Sequence, residues 1–378
     1  MKDVACRIVV LSLLAAAGCG ESNASDDGGK GAPGEIVVLG QLLGVQDPGA
    51  VSLTLIADAE DGLSRPRDLG FHPNRPGEAW IVNRLDDSVT IVFDATGDAA
   101  RTEHRIDPYA LHFMEEPSSI AFGDQTYGDD WTFGTCQESE NTYNDTTDPN
   151  FFMGPALWSA DLEVFAMVDP IGLGSHLDML HHSPNCMGIA HESANVYWAF
   201  DGYNGQVVRY DFNADHAPGY DDHSDGTIRF FAEPKVVRVP DVPSHMELDH
   251  ESRLLYVADT GNARVIRVDV DSGEFLRNLQ RKERGTKVDE WAGIEWSEVV
   301  PASTGLLQRP SGLALHQGTL YVGDNATGTI YAFDLEGQLI TQLETGLEPG
   351  SLMGIEAGPD NRLYITDALA NRVLRIDY

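Results

Sequence analysis

The stretch that decides the fold is PSGLAL at residues 310–315, followed by LYVGD at 320–324 and TIYAFD at 329–334. Its three parts are short runs of aliphatic, β-branched and aromatic residues, and segments containing Gly and Asn separate them. Runs of this kind predict short antiparallel strands joined by tight turns. The same phrase returns along the chain, so the unit is a repeat.

Five further copies of the phrase make six in total, and they begin near Arg65, Pro117, Cys186, Ser244 and Met353. No long segment has the spacing of an amphipathic helix. Strands that return about every 40–45 residues are typical of β-propeller blades. A closed ring of blades also hides most strand edges from solvent. The sequence therefore predicts an all-β fold, a six-bladed β-propeller with four strands in each blade.

The ends of the chain indicate how the ring closes. The last copy supplies only three strands before the chain ends at Tyr378, and a separate strand pattern, VSLTLI, lies at residues 51–56. An N-terminal strand that joined the last blade would complete it and would hold the two ends together. We therefore expect residues 35–378 to form a single propeller domain whose last blade is closed by this strand.

The composition excludes two broad classes of protein. Hydrophobic residues make up 42% of the 378, which is enough for a large core and rules out wholesale disorder. The chain has 25 Lys and Arg against 60 Asp and Glu, for a net charge of −35 at pH 7. A nucleic-acid partner requires clustered basic side chains, so this charge argues against one. Such a charge would instead concentrate cations near the surface.

The N-terminus has the pattern of a targeting signal. Lys2 and Arg7 precede an apolar run at residues 8–17, which is too short to cross a bilayer as a helix. The sequence AAGC at 16–19 resembles the lipobox of bacterial lipoproteins. This resemblance implies removal of residues 1–18, a lipid on Cys19 and a place in the bacterial cell envelope, at the outer membrane where the cell has one. An ordinary cleaved secretory signal is the alternative.

Residues 19–34 follow the signal and are rich in Gly, Ser, Asn and Asp. They have no apolar periodicity, which is typical of a flexible tether. Such a tether would let the folded body stand away from the membrane.

One copy of the repeat has a specific resemblance. The stretch YVADTGNARV at residues 256–265 resembles the core of an NHL repeat, and the resemblance extends over residues 51–378. It implies an NHL-type propeller whose inner strands start on the face where ligands bind. Long connections at 137–154, 171–184 and 280–309 would lie on that face, so we expect a ligand or partner to bind there. Propellers of this type include binding proteins and enzymes, so the fold names no function by itself.

The resemblance places six residues at the start of the inner strands, around the central channel: Arg67, Ser118, Met187, Met246, Ser311 and Met353. Thioethers are soft ligands that suit Cu(I). His245 and Cys186 adjoin two of these methionines, and His176 lies in the preceding connection, so a copper or zinc site is one hypothesis. The other is that the methionines fill an irregular apolar gap.

An enzyme is the alternative function. The peptidyl-hydroxyglycine lyases, which are six-bladed propellers of similar repeats, hold zinc through histidines at this inner-strand position. The alternative hypothesis is therefore a metal-dependent lyase or hydrolase that would use His181, His182 or His245 as a ligand or base. This chain departs from that pattern, because the position holds Met, Ser or Arg. Arg67 would either bind a carboxylate through its planar fork of donors or serve as an ordinary ion-pair partner.

A second metal hypothesis concerns the segment that follows residue 210. Asp211, Asn213 and Asp215 have the alternating oxygen ligands that begin a calcium loop, and Asp222 stands near its end. A solvated acidic loop is the alternative.

Two cysteines remain after the signal and the lipidation site are set aside. Cys136 ends a second strand, and Cys186 begins the inner strand of the next blade. Both would lie on the same face of neighbouring blades, so a disulfide between them is geometrically reasonable. Such a bond would remove Cys186 from any metal site.

Overall fold

The computed structural model describes residues 51–97, 101–140, 152–220, 222–281 and 285–378. The signal peptide, the lipidation site at Cys19 and the tether at 19–34 lie outside these residues and stay predictions. The described residues form six β-sheets, which are arranged as the blades of a propeller.

The first three blades follow one another in chain order. Blade 1 consists of β2 (Pro66–Phe71), β3 (Ala79–Asn83), β4 (Ser88–Phe93) and β5 (Arg101–Ile106). Blade 2 consists of β6 (Pro117–Phe122), β7 (Thr132–Gln137), β8 (Ala156–Ser159) and β9 (Asp178–Met179). Blade 3 contains β10 (Cys186–Ser193), β11 (Val196–Asp201), β12 (Gln206–Asp211) and β13 (Thr227–Lys235).

The other three blades complete the ring. Blade 4 consists of β14 (Met246–Asp249), β15 (Leu254–Asp259), β16 (Arg264–Asp269) and β19 (Trp296–Val300). Blade 5 consists of β20 (Pro310–His316), β21 (Thr319–Asp324), β22 (Thr329–Asp334) and β23 (Leu339–Glu344). Blade 6 consists of β24 (Leu352–Ala357), β25 (Leu363–Asp367), β26 (Arg372–Asp377) and the N-terminal β1 (Ser52–Ala57). The helical segments are α1 (Ala110–Phe113) and the 3-10 turns Ala59–Asp61, His223–Asp225, Thr260–Asn262 and Ala302–Thr304.

The ring is continuous because the inner strand of each blade contacts the inner strand of the next, including β24 with β2. The repeat phrase explains the blades, since its three runs in the fifth copy become β20, β21 and β22. Large side chains fill the space between and within the sheets, and Trp80, Trp158 and Trp198 are fully buried. Burial of this apolar surface is the main stabilising contribution. The prediction of a six-bladed β-propeller is confirmed.

The N-terminal strand closes the last blade, as predicted. β1 pairs with β26 in antiparallel register, with Ser52 opposite Asp377 and Leu55 opposite Leu374. The side chain of Leu53 packs against the apolar core of blades 5 and 6. The Thr54 hydroxyl donates a hydrogen bond to the Asp377 carboxylate. The first and last described strands are therefore held together by a ladder and by side chains.

The long connection after β16 differs from the prediction. Instead of a loop at 280–309 on the ligand face, the chain forms the hairpin of β17 (Glu274–Asn278) and β18 (Lys287–Ala292) before β19. β18 pairs in parallel with β13, so this hairpin extends the outer edge of blade 3 although it belongs to the segment of blade 4. The repeat predicts only four strands in each blade, so the two additional strands have no counterpart in the other copies.

The closure has a direct test in β1. The variant Leu53→Ala should lose about 1–2 kcal/mol of unfolding free energy, because it removes half-buried apolar surface from the core. The matched control is Leu55→Ala, two residues further along the same strand, where the side chain is 51% exposed. The control should change the unfolding free energy by less than about 0.5 kcal/mol. Equal losses in urea unfolding would contradict a packing role for β1.

Candidate functional site

The six inner strands surround a cavity on the propeller axis. The cavity has a volume of about 190 Å³, and every inner strand, or the residues beside it, contributes to the wall. β2 and β14 contribute most, while β20 and β24 contribute Leu313 and Glu356. The cavity reaches His250, an exposed residue just beyond the end of β14.

Three carboxyl groups stand in the wall of this cavity, those of Asp68, Glu247 and Glu356. Glu247 and Glu356 pair with Tyr256 and Tyr364 on their second strands. The corresponding residue in each of the other four blades is Gly or Ala, namely Gly70, Ala121, Ala190 and Ala314. Two blades therefore place an acidic side chain where the repeat has little or no side chain.

Sequence analysis missed these three residues. The sequence contains a signal for two of them, because Glu247 and Glu356 stand at a repeat position that holds Gly or Ala in the other four blades. The register of β14 had to be known before Glu247 could be aligned with Glu356.

Burial controls the protonation of these carboxyls. It raises the pKa of Asp68 to about 8, because removal from water disfavours the charged form. The pKa of Glu356 is also raised to about 8, by burial and then by the charge of Asp68. Burial and the charge of Glu356 raise the pKa of Glu247 well above its ordinary value. Near neutral pH the carboxyls of Asp68 and Glu356 are therefore mostly protonated, and a bound cation would favour their ionised forms.

His245 adds a base beside the acids. Its Nε2 donates to the Ser118 carbonyl oxygen at 3.3 Å, and its Nδ1 lies 3.5 Å from Asp68 Oδ1. Burial lowers the pKa of His245 to about 4, so the neutral ring presents the Nδ1 lone pair to Asp68. The His245 ring and the Asp68 carboxyl therefore face each other in the cavity wall, without a hydrogen bond between them.

The opposite end of the channel is covered. We call residues 236–244, which connect blades 3 and 4, the crossing segment. Arg238 forms an ion pair with Glu138 at 2.9 Å, and the Asp241 amide donates to the same carboxylate at 2.8 Å. Val242 packs with Met353 and Ala368 of blade 6. Because blade 6 lies across the ring from blades 3 and 4, the crossing segment spans the axis on the face where the inner strands start.

The predicted methionines are buried but do not form one group. Met187 and Met246 lie in the apolar cluster of blades 3 and 4, whereas Met353 packs with Val242 and Ala368. The pairing register also corrects one assignment. Met246 pairs with Val257, two residues before Asp259 at the end of that strand, and Ile189 pairs with Ala199, two residues before Asp201. Met246 is therefore equivalent to Ile189. Met187 lies two residues before Ile189, so its equivalent in blade 4 is Ser244, two residues before Met246. The sequence assigned Met246 to this position by its residue type, without knowledge of the register.

The remaining predicted residues around the channel have other surroundings. The Cys136 and Cys186 sulfurs are bonded, with the Cα atoms 5.1 Å apart, so Cys186 has no free thiolate for a metal. His176 stacks on Phe113 with ring centroids 3.5 Å apart.

Neither His181 nor His182 lines the axial cavity. The His181 ring stacks on Phe152 at 4.4 Å between centroids. Of the histidines proposed as ligands or bases, His245 is the one in the wall of the axial cavity.

The residues of the proposed calcium loop are engaged in local turns. Asp211 accepts a hydrogen bond from the Asn213 amide, and the Asn213 side chain donates to Asp225. Asp222 caps the short turn His223–Asp225. Asp215 lies in the same loop. Calcium binding stays a prediction.

Two features are absent from the described residues. In that part of the chain, no three His, Cys, Asp or Glu side chains are grouped as they would be to hold a metal ion. The same residues include no helix with the length and apolar character needed to cross a bilayer.

Solved structures provide the comparisons with known proteins, since no family model and no curated protein matches the chain. An auxiliary nutrient binding protein from Bacteroides thetaiotaomicron is 14% identical with a TM-score of 0.51, over 83% of this chain and 69% of that one. Virginiamycin B lyase from Staphylococcus aureus is 10% identical with a TM-score of 0.50, over 87% and 99% of the two chains. A luciferin-regenerating enzyme is 12% identical with a TM-score of 0.53, over 87% and 95%. At these identities the likeness establishes the fold alone, which places the chain in the class of six-bladed propellers.

The raised carboxyl pKa values give a pH dependence of stability. Between the ordinary carboxyl pKa of about 4 and the raised value, the folded chain binds more protons than the unfolded chain. The stability from these groups is therefore fully present below about pH 4 and is lost as the pH rises towards 8.

Replacing both glutamates should remove much of this dependence. Relative to the parent protein, Glu247→Gln/Glu356→Gln should gain about 1–3 kcal/mol of unfolding free energy between pH 5 and pH 8. Urea unfolding at a series of pH values measures the difference. Glu251→Gln, at an exposed position, is the control and should follow the parent. A constant difference across the range would contradict burial of these carboxyls.

Proposed function

We propose that the chain is a lipid-anchored binding protein of the cell envelope, and that its axial cavity takes up a small, positively charged organic molecule. The observation that carries this proposal is the convergence of Asp68, Glu247 and Glu356 on one cavity. Ligand pockets usually contain few polar groups, and these fix the chemistry of the ligand.

The energetics favour a cation over a neutral ligand. Each buried carboxylate is costly without a partner, which is why the three pKa values are raised. A bound ammonium group would stabilise the ionised carboxylates through charge-assisted hydrogen bonds. The net charge of −35 would attract such a ligand to the protein.

The size of the cavity favours a small ligand. A volume of about 190 Å³ is below the roughly 300–1,000 Å³ of pockets for drug-sized molecules. A short aliphatic diamine has the appropriate chemistry, since its two ammonium groups can reach separate carboxylates while its methylenes contact Leu69, Ile120 and Leu313 in the wall.

A binding role outside the cytoplasm has two supports. The AAGC sequence at 16–19 resembles a lipobox, and the resemblance would place Cys19 at the membrane with the propeller beyond the tether. One of the similar folds is described as an auxiliary nutrient binding protein. We also propose that the propeller is of the NHL type, because the stretch at residues 256–265 resembles the core of an NHL repeat.

Calorimetry with putrescine at pH 8 tests the ligand class. We expect binding of putrescine but not of butane-1,4-diol, which has the same length without the charges. Glu247→Gln/Glu356→Gln should weaken putrescine binding at least about tenfold, because the charge-assisted contacts are lost. The exposed Glu251→Gln is the matched control and should bind as the parent does. If the diol binds as well as the diamine, or the double variant binds unchanged, the proposal fails.

A metal-dependent lyase or hydrolase is the second candidate function. The observation that favours it is the pair of Asp68 and His245, whose pKa values are shifted in opposite directions inside one cavity. In this candidate His245 would act as the base or as a ligand of copper or zinc. Calcium in the 211–222 loop would be structural and separate from this chemistry.

Elemental analysis of protein purified without a metal-affinity step tests the metal proposals. The copper or zinc proposal expects roughly one ion per chain, bound by soft ligands and lost in Met187→Ala/Met246→Ala. Met167→Ala, at a position 63% exposed, is the matched control. Protein that contains no metal, and whose unfolding is unchanged by a chelator, would remove the copper, zinc and calcium proposals together.

A further inference from the structure

A second site lies at the face where the inner strands start, and its central residue is Arg67. The side chain is 1% exposed, and its Nη1 donates to the backbone oxygen of Asp241. Its Nε and Nη2 have no hydrogen-bond partner. Unpartnered buried donors are costly, so two of them on one guanidinium require an explanation.

The two unpartnered nitrogens form one edge of the guanidinium. Nε and Nη2 point in the same direction, which is the arrangement that receives both oxygens of a carboxylate in a bidentate pair. Burial and the neighbouring charge of Arg84 lower the pKa of Arg67 to about 10, so the nearby carboxylates of Glu138 and Asp241 do not fully offset the burial of this guanidinium.

The Asp241 carboxylate partly fills this role. Its Oδ1 lies 3.6 Å from Arg67 Nη2 and 3.0 Å from Arg84 Nη2, so one oxygen faces two guanidinium groups. Arg67 is too far away for a hydrogen bond to this oxygen. Asp241 is 50% exposed, and it stands with a left-handed φ of 67° in a turn closed by pairing of Val239 with Val242.

Other acidic groups nearby have their own partners. Glu116 pairs with Arg84 at 2.7 Å, and Glu138 pairs with Arg238 at 2.9 Å. Glu138 also lies 3.4 Å from Arg84. The carboxylate of Asp241 is therefore the one that can move away from Arg67 while Arg84 keeps its contacts with Glu116 and Glu138.

We propose that Arg67 and Arg84 form a binding site for the carboxylate of a ligand, and that Asp241 occupies this site in the free protein. An incoming carboxylate forms two parallel hydrogen bonds with Arg67 Nε and Nη2. The Asp241 side chain, already half in solvent, turns outward. Because Asp241 belongs to the crossing segment, binding of a carboxylate loosens one of the contacts that hold this segment over the axis. The site is separate from the acidic cavity, and its test uses no cation.

Rescue by a small carboxylate tests the proposal. Asp241→Ala removes the internal carboxylate and leaves Arg67 without it. Sodium acetate should then raise the apparent Tm of this variant by about 2 °C more than sodium chloride does at equal ionic strength. The parent protein should gain less than half of this, because Asp241 competes for the site. Asp271→Ala is the matched control, since Asp271 is 60% exposed and pairs with Arg253, which also pairs with Glu192.

The variant Arg67→Lys/Asp241→Ala identifies the residue responsible. Lysine retains the charge but not the fork, so the acetate effect should fall to that of Asp271→Ala. Arg84→Lys/Asp241→Ala gives a second measurement if substitution of the buried Arg67 prevents folding, and it should reduce the effect in part. An acetate effect equal in Asp241→Ala and Asp271→Ala, or unchanged in both double variants, would overturn the proposal.

Discussion

The convergence of six inner strands on one axis is the constraint on which every other feature depends, and the pairing of β1 with β26 maintains it. Asp68, Glu247 and Glu356 are far apart in the chain and share a cavity because the ring is closed. An isolated blade would leave each carboxyl in water with an ordinary pKa. Closure removes that water, and burial is the first cause of all three raised pKa values.

The residues that face the axis differ from those expected for a repeat selected for stability alone. A small side chain at the narrow channel avoids burying a polar group, and four blades have Gly or Ala there, as at Gly70 and Ala190. Glu247 and Glu356 break it. Residues that break a local rule without a structural gain are expected at functional sites. Arg67 is a similar case at the face where the inner strands start, since its burial leaves two hydrogen-bond donors without partners.

The fold could be predicted from the sequence because the same pattern of strands and turns occurs in it six times. Strand composition, turn residues and spacing agree in each copy, and the surplus strand at 51–56 indicated the closure. The β17–β18 hairpin could not be predicted, because it occurs once and pairs with a different blade. The crossing segment was missed for a related reason: its contacts, such as Arg238 with Glu138, join residues about a hundred positions apart.

The candidate site could be predicted only in part. His245 could be predicted as a site residue, and the structure places it in the cavity wall. The three acids could not be predicted in the same way, because they belong to no recognised ligand motif in the sequence. Met246 was aligned by its residue type, and only the pairing with Val257 shows its true position. Residue types indicate chemistry, whereas register decides which of them share a cavity.

The β17–β18 hairpin also affects how the ring can deform. Blades 3 and 4 are joined by a parallel ladder between β13 and β18, whereas strand pairing stays within the blade in the rest of the described ring. Separating this pair of blades would break a ladder of backbone hydrogen bonds. Blades 2 and 3 are joined by the Cys136–Cys186 disulfide, and one backbone hydrogen bond runs from His245 to Ser311 of blade 5. Stiffness is therefore distributed unevenly around the circumference. Motion between blades is therefore concentrated in the seams outside blades 2–4, and the half of the axis that carries Asp68 and Glu356 is the more compliant one.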